Sequence, residues 1–151
     1  MEKYTELLEE AKKHFKIADH LAYVTFTLLK ENRLIIKILS ELSVSASCLI
    51  KAFLYYEYAF KRIKISGDAQ KNLRTFISDV ALKYMSGEDL KNIIYILEVN
   101  KKHIDSHIEF VRKDKFVILL GDKYETLDIQ RVRELLHSTR SSIKSFPEIA
   151  N

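Results

Sequence analysis

The stretch IIKILSELSVSASCLIKAFLYYEYAF, residues 35–60, has the longest apolar periodicity in the chain. Its apolar residues recur at alternating steps of four and three, which is the spacing of one face of a helix. Lys37, Ser40, Ser47 and Lys51 fall on the opposite side. We therefore predict a central helix, and its buried face comprises Ile35, Leu39, Leu42, Ala46, Leu49, Phe53, Tyr56 and Phe60.

The segments before and after this helix also carry helical spacing. The four-three pattern runs from Tyr4 to Leu29, so a first helix should pair antiparallel with the central one through a short connection at residues 30–33. Asp68 stands before a third apolar periodicity and has a side chain that caps helix N-termini. We expect this third helix to run to about Met85.

A fourth helix is predicted from Ser86, where Ser-Gly-Glu-Asp has the spacing of a capping box. Its apolar stripe, Leu90, Leu97, Ile104 and Val111, repeats every seven residues, and the helix should fade near Arg112. A last helix is expected after Asp128, and Pro147 should stop it.

Between the fourth and last helices, Phe116-Val-Ile-Leu-Leu120 is followed by Gly121-Asp122, which is typical of a strand and a turn. Residues 124–126 could pair back on this strand. The predicted fold is thus mainly α: a single domain over residues 1–151, forming an antiparallel bundle of four to five helices. A small β-hairpin at about residues 116–126 is inserted before the last helix.

Composition limits the class of protein. With 47% hydrophobic and 30% charged residues, three glycines and one proline, the chain favours packed helices over disorder or a many-stranded fold. The single cysteine, Cys48, leaves no disulfide framework, and the acidic amphipathic N-terminus does not resemble a signal peptide. No apolar run is long enough to span a membrane. We expect a cytoplasmic protein without a cofactor.

Two histidines on the fourth helix could share a metal ion. His103 and His107 lie four residues apart, but a catalytic zinc ion needs a third protein ligand and the sequence offers no obvious one. A histidine that is hydrogen-bonded at the edge of the core explains the same pattern. We therefore predict no metal site.

The whole chain has a net charge of +4, and basic residues cluster in its C-terminal third. The basic residues stand close in sequence to Phe110, Phe116 and Tyr124, so phosphate contacts and base stacking could occur together. A solvated basic face is the alternative explanation. The residues predicted to bind RNA are Arg112, Lys113, Lys115 and Arg133.

Arg131 and His137 are separated by five residues, a spacing that resembles the Arg-x4–6-His motif of HEPN-domain ribonucleases. In that family of small helical bundles the pair acts on the RNA backbone in a cleft that dimerisation usually creates. The resemblance implies acid/base work for His137 and phosphate stabilisation for Arg131. In this sequence Val132 follows the arginine where many members have a polar residue, and a solvated basic face again explains the pattern.

A broader resemblance covers nearly the whole chain. The runs 20–30 (HLAYVTFTLLK), 56–63 (YEYAFKRI) and 107–118 (HIEFVRKDKFVI) are similar to a family of uncharacterised small helical proteins from archaea. That family implies no activity for this chain. It implies that the segment EFVRKDKFVI and the hairpin after it belong to one structural unit.

The chain has more apolar residues than the core of one helical bundle needs, so we predict self-association. Ile36, Ile50 and Leu54 lie beside the central helical face, and we expect the strand at 116–120 to have an unpaired edge. Val44, Cys48 and Tyr55 lie behind that face. A symmetric homodimer, or another protein partner, would cover these groups. The function predicted from sequence is thus a noncatalytic interaction module, with a HEPN-like ribonuclease or an RNA-binding protein as the alternative.

Overall fold

The computed structural model describes residues 2–106, 108–120 and 122–149, and it confirms the mainly helical fold. Within those residues five helices pack together, with a three-stranded antiparallel sheet near the C-terminus. The helices are α1 (Lys3–His20, continued by Leu21–Thr25 and Phe26–Leu29), α2 (Leu34–Ala59), α3 (Ala69–Thr75, Phe76–Val80 and Ala81–Tyr84), α4 (Gly87–Asp105) and α5 (Ile129–Lys144). The strands are β1 (Ile108–Arg112), β2 (Lys115–Leu120) and β3 (Lys123–Leu127).

The predicted central helix is α2, and its apolar face forms the middle of the core. Lys37, Ser40 and Lys51 on the other side are exposed, as expected for an amphipathic helix. Phe60 departs from the pattern because it lies just beyond the end of the helix, where it is exposed. Of the eight predicted positions, Tyr56 is half-buried and six are fully buried: Ile35, Leu39, Leu42, Ala46, Leu49 and Phe53.

The first helix changes its inward face partway along. The pattern begins at Tyr4, which is half-buried, and its positions from Leu8 to Ala22 are buried, but Leu29 at its end is 66% exposed. The segment Leu21–Thr25 is π-helical, so it inserts an extra residue into the turn and rotates the chain beyond it. Phe26 therefore takes the buried position. The prediction for Leu29 was wrong because the four-three spacing assumes an uninterrupted α-helix.

Helices α1 and α2 lie antiparallel and close together. The Ser45 hydroxyl donates to the Ala11 carbonyl at 2.8 Å, and both residues are buried. One turn further along α1, His14 Nδ1 lies 2.6 Å from Glu41 Oε2 at the edge of the interface. The small side chains at the first contact allow the two backbones to approach, and this hairpin is the base on which the other elements pack.

Three predicted helix starts are confirmed by their caps. The Asp68 carboxylate accepts from the Gln70 amide at 2.9 Å, and the Ser86 hydroxyl accepts from the Asp89 amide at 3.1 Å. Asp128 accepts from the amide of Arg131 at 2.8 Å. These bonds satisfy amides that have no partner within the helix, so local sequence chemistry sets where α3, α4 and α5 begin.

The sheet differs from the predicted hairpin by one strand. Residues 108–112 were expected to end the fourth helix, but α4 stops at Asp105 and these residues form β1, which pairs with β2. β2 also pairs with β3, so it is the central strand and both of its edges are occupied. The expected unpaired edge at 116–120 was therefore wrong. The third strand supplies the backbone hydrogen bonds that a two-stranded hairpin would have lacked.

Helix α4 packs through a different face from the predicted seven-residue stripe. Ile104 in that stripe is 70% exposed, and Leu90 and Leu97 are only half-buried. The buried positions are instead Ile93, Ile96 and Val99. Val111, the last residue of the predicted stripe, lies beyond the end of α4 and belongs to β1. Its seven-residue spacing from Ile104 is therefore a coincidence.

Candidate nucleic-acid interface

The sheet has one face turned toward the helices and one turned away. Paired residues of neighbouring strands share a face, and successive residues alternate. Phe116, Ile118 and Leu127 are buried on the inner side. We call the opposite side the outer sheet face, and the register assigns to it Ile108, Phe110, Arg112, Lys115, Val117, Leu119, Tyr124 and Thr126.

Aromatic and aliphatic side chains are exposed on the outer sheet face. Tyr124 is 68% exposed, Ile108 is 58% exposed and Phe110 is 36% exposed. Phe110 and Tyr124 line a depression of about 410 Å³, together with Val117 and Leu119. Phe116, which was predicted to join the aromatic set, is buried on the inner face, so two aromatic rings rather than three are presented to solvent.

Three cations lie at one end of the same depression. Arg112 and Lys115 are paired across the turn that joins β1 to β2, and Lys113 lies within that turn. The backbone of Lys113 has a φ of 57°, and its carbonyl accepts from the Asn32 side chain at 3.2 Å. This bond anchors the turn to the connection between α1 and α2. The predicted basic residues therefore form a cluster beside the aromatic rings.

Acidic side chains of the sheet lie on its inner face, where side chains of α4 contact them. Glu109 of β1 lies 2.7 Å from His103 Nδ1. Glu125 of β3 accepts from Lys102 Nζ at 2.9 Å and from the Tyr95 hydroxyl at 3.3 Å. Among the described residues lining the depression, Asp114 is the one acid against three cations. The outer sheet face thus carries a local excess of positive charge.

Arg133 does not belong to this cluster. Its guanidinium donates to the Ala22 carbonyl at 3.2 Å and lies over the Tyr23 ring, 5.0 Å from its centre. Both contacts are in the π-helical segment of α1, where the widened turn changes the partners of the backbone carbonyls. Arg133 therefore joins α5 to α1 and is not available at the outer sheet face.

The structure does not bring Arg131 and His137 together within one chain. The two residues are six positions apart on α5, and at 3.6 residues per turn their side chains lie about 120° apart around the helix. Arg131 donates to Asn92 Oδ1 and to Glu134 Oε2, both at 3.0 Å, and stacks 4.8 Å from the centre of the Tyr95 ring. His137 is exposed. One member of the pair is thus held by its own chain, and the other faces solvent.

The contacts of Arg131 extend into a buried polar network. Asn92 is buried, and its amide donates to the Ser138 hydroxyl at 2.8 Å. Tyr95 connects Arg131 to Glu125, and burial together with the Glu125 charge raises the pKa of Tyr95 to about 12. This network was not predictable from sequence, because Asn92 and Tyr95 lie between apolar residues of α4 without a recognisable motif.

A second buried polar group, Glu57, was also missed. It lies on α2, is fully buried, and accepts from the Tyr84 hydroxyl, from Arg62 Nε and from Lys83 Nζ. Burial alone would raise the pKa of Glu57, but the hydrogen bonds from Tyr84 and Arg62 and the charges of Arg62 and Lys83 outweigh it. The pKa is held below its ordinary value. The carboxylate is enclosed by these partners, so it joins α2 to α3.

The two-histidine pattern does not assemble a metal site among the described residues. His103 contacts Glu109, while His107 lies outside the residues that the structure describes. No group of three or more histidine, cysteine, aspartate or glutamate side chains is placed to hold an ion in the part of the chain described. We also find, in the same part, no helix with the length and hydropathy needed to cross a bilayer.

Comparisons with known proteins add no relative to this geometry: no family model, curated protein or solved structure matches the chain.

Proposed function

We propose that this chain is a noncatalytic interaction module that binds single-stranded RNA on its outer sheet face. The observation that supports this proposal is the presence, in one depression, of two exposed aromatic rings and three cations. Aromatic rings stack on bases of any sequence, and cations attract the phosphates between them. The two requirements of single-strand binding are thus present on one surface.

The spacing of the rings suits an extended strand. Phe110 is on β1 and Tyr124 is on β3, with β2 between them and an offset of two residues along the sheet. With strands about 4.8 Å apart and a rise of about 3.4 Å per residue, the two Cα positions are about 12 Å apart. A single strand crossing the sheet could stack one base on each ring, with its backbone toward Arg112 and Lys115.

The experiment measures the anisotropy of a labelled 12-nucleotide oligouridine over a series of salt concentrations. The test variants are Tyr124→Ala and the triple variant with Arg112, Lys113 and Lys115 each changed to Gln. Loss of one stacked base costs about 1–3 kcal/mol, so Tyr124→Ala should weaken binding about 5- to 150-fold. The triple variant should reduce the salt slope by about 2, because each phosphate contact contributes about 0.7.

The matched control removes the same charge elsewhere. Lys13, Lys16 and Lys71 are exposed on α1 and α3, and their replacement by Gln should leave the salt slope within about 0.5 of the wild-type value. If the control lowers the salt slope as much as the triple variant does, the effect comes from the net charge of the protein and not from the outer sheet face. Absence of binding at 50 mM salt, or wild-type affinity in Tyr124→Ala, would contradict the proposal.

A HEPN-like ribonuclease is the second candidate, and the exposure of His137 on α5 is the observation that favours it. An exposed imidazole is accessible to RNA and to a second copy of the chain. Against it, the guanidinium of Arg131 is held by Asn92 and Glu134. The test is cleavage of labelled RNA without added metal. The ribonuclease proposal expects cleavage that His137→Ala abolishes, and an inactive wild-type protein would exclude it.

A further inference from the structure

A second concave surface shares no lining residue with the depression on the outer sheet face. It is a groove of about 470 Å³ between the first turns of α1, the flank of α2 and the segment that leads into α3. We call it the lysine-rimmed groove. Its apolar lining consists of Leu7, Ile50, Leu54, Ile65, Leu73 and Leu97.

The charged residues that line this groove have one sign. Lys3 on α1 and Lys51 on α2 both line it, and no acidic residue appears among its described lining residues. Neither lysine forms an ion pair with another described residue. The antiparallel register that joins Ala11 to Ser45 brings the start of α1 alongside the helix turn that carries Lys51. The two lysines thus line one groove, and no acidic side chain among its described lining residues balances them.

Hydroxyl groups accompany the lysines. Ser47 and Tyr55 both line the groove, and both belong to α2, on either side of Lys51. Sites for small molecules have volumes of about 300–1,000 Å³ and combine mostly apolar walls with a few convergent polar groups. The lysine-rimmed groove has this size and this composition. A ligand that fits it needs an apolar body and a negatively charged end.

We propose that the lysine-rimmed groove binds a single-chain amphiphile with a carboxylate head, of the fatty-acid type. The aliphatic tail lies on the half-buried Ile65, Leu73 and Leu97, and the carboxylate forms ion pairs with Lys51 and Lys3. Burial of the tail removes apolar surface from water on both sides, and the carboxylate supplies the missing counter-charge. This site is independent of the RNA-binding proposal, because it shares no residue with the outer sheet face.

The experiment titrates the protein with decanoate below its micelle concentration, using calorimetry for affinity and amide chemical shifts for location. We expect a dissociation constant below about 1 mM. Affinity should rise about two- to fourfold per methylene from hexanoate to decanoate. Decyltrimethylammonium, with the same tail and the opposite charge, should bind at least 10-fold more weakly.

The variants separate the groove from general positive charge. Lys51→Gln should weaken decanoate binding at least fivefold, whereas Lys37→Gln, on the same helix but outside the groove, should leave it unchanged. Lys51→Gln should also leave oligouridine binding unchanged, which keeps this test distinct from that of the sheet. The proposal is overturned by equal effects of both variants, or by equal binding of the cationic amphiphile.

The location of the chemical shifts excludes the other occupants. Shifts around Leu54 and Leu73 support the site, whereas shifts confined to Phe110 and Tyr124 would assign the amphiphile to the outer sheet face and overturn it. Binding to vesicles of anionic phospholipid without any binding of monomeric decanoate would overturn it in favour of a membrane surface. Absence of decanoate binding at 1 mM would also overturn the proposal.

Discussion

Replacing Glu57 by Gln should destabilise the protein although the two side chains have nearly the same size. Glu57 is fully buried and accepts from Tyr84, Arg62 and Lys83, and hydrogen bonds to a charged group contribute about 1.5–3 kcal/mol each. The side chains of Arg62 and Lys83 are 42% and 48% exposed, so water screens much of their attraction. A neutral amide is also less costly to bury than a carboxylate.

These contributions leave a net loss of about 2 kcal/mol at neutral pH, because the new amide group faces the Arg62 donor and one buried acceptor is lost. For a chain of this length the melting temperature should fall by about 4–8 °C. Urea denaturation of wild-type and Glu57→Gln proteins measures the difference in unfolding free energy. Tyr84→Phe, which removes one donor and keeps the ring, should cost about half as much.

The difference should depend on pH in a stated direction. The pKa of Glu57 is lower in the folded chain than its ordinary value of 4.5. The stabilisation by the ionised carboxylate is therefore complete above pH 4.5 and is lost as the pH falls through the folded-state pKa. The gap between wild type and Glu57→Gln should thus be widest at pH 7 and narrow in acid.

The control for this experiment is Glu98→Gln, an exposed position on α4 where the same change should alter stability by less than about 0.5 kcal/mol. If Glu57→Gln is equally mild at pH 7, the buried network does not stabilise the fold. If its effect is as large at pH 3 as at pH 7, the ionised carboxylate is not the source of the stabilisation.

Two further predictions concern the core and the assembly state. Leu49→Ala and Phe53→Ala should each cost about 2–5 kcal/mol in urea denaturation, because both fully buried residues leave cavities in the middle of α2; losses below about 1 kcal/mol would place this face outside the core, and Ser40→Ala is the exposed control. We also expect a homodimer at micromolar concentration, because Val44 and Leu28 are exposed apolar groups. Light scattering that gives the mass of one chain would exclude the dimer, and with it the cross-chain cleft that the ribonuclease requires.

Helix positions were predictable because their signals are local. A cap such as Ser86 acts on an amide three residues away, and the burial of Leu49 follows from the spacing within one helix. The π-helical segments of α1 and α3 were not predictable in this way. No proline or glycine marks them, and their cost is offset by contacts such as that of Arg133 with Ala22, a residue 111 positions earlier.

The same distinction explains the flank of α2. Ile50 and Leu54 were expected to need a partner chain, but both are buried within one chain. Ile65, in the segment between α2 and α3, and Leu73, in the first turns of α3, pack against the core and supply part of the cover. A helical pattern says which side of α2 is apolar, but the path of the following loop decides how much of that side is covered.

The outer sheet face shows how far the sequence could go toward the candidate site. Residues 116–120 are apolar at every position, so this strand has no alternation that says which side faces the helices. The neighbouring strands decide it: Glu109 and Glu125 alternate with Phe110 and Tyr124, and the two acids find His103 and Lys102 on α4. Successive side chains of a strand point to opposite faces of the sheet. Because Glu109 and Glu125 face inward, Phe110 and Tyr124 must therefore face outward. The aromatic surface is therefore a consequence of polar contacts between the inner face and α4, which join residues 6 and 23 positions apart.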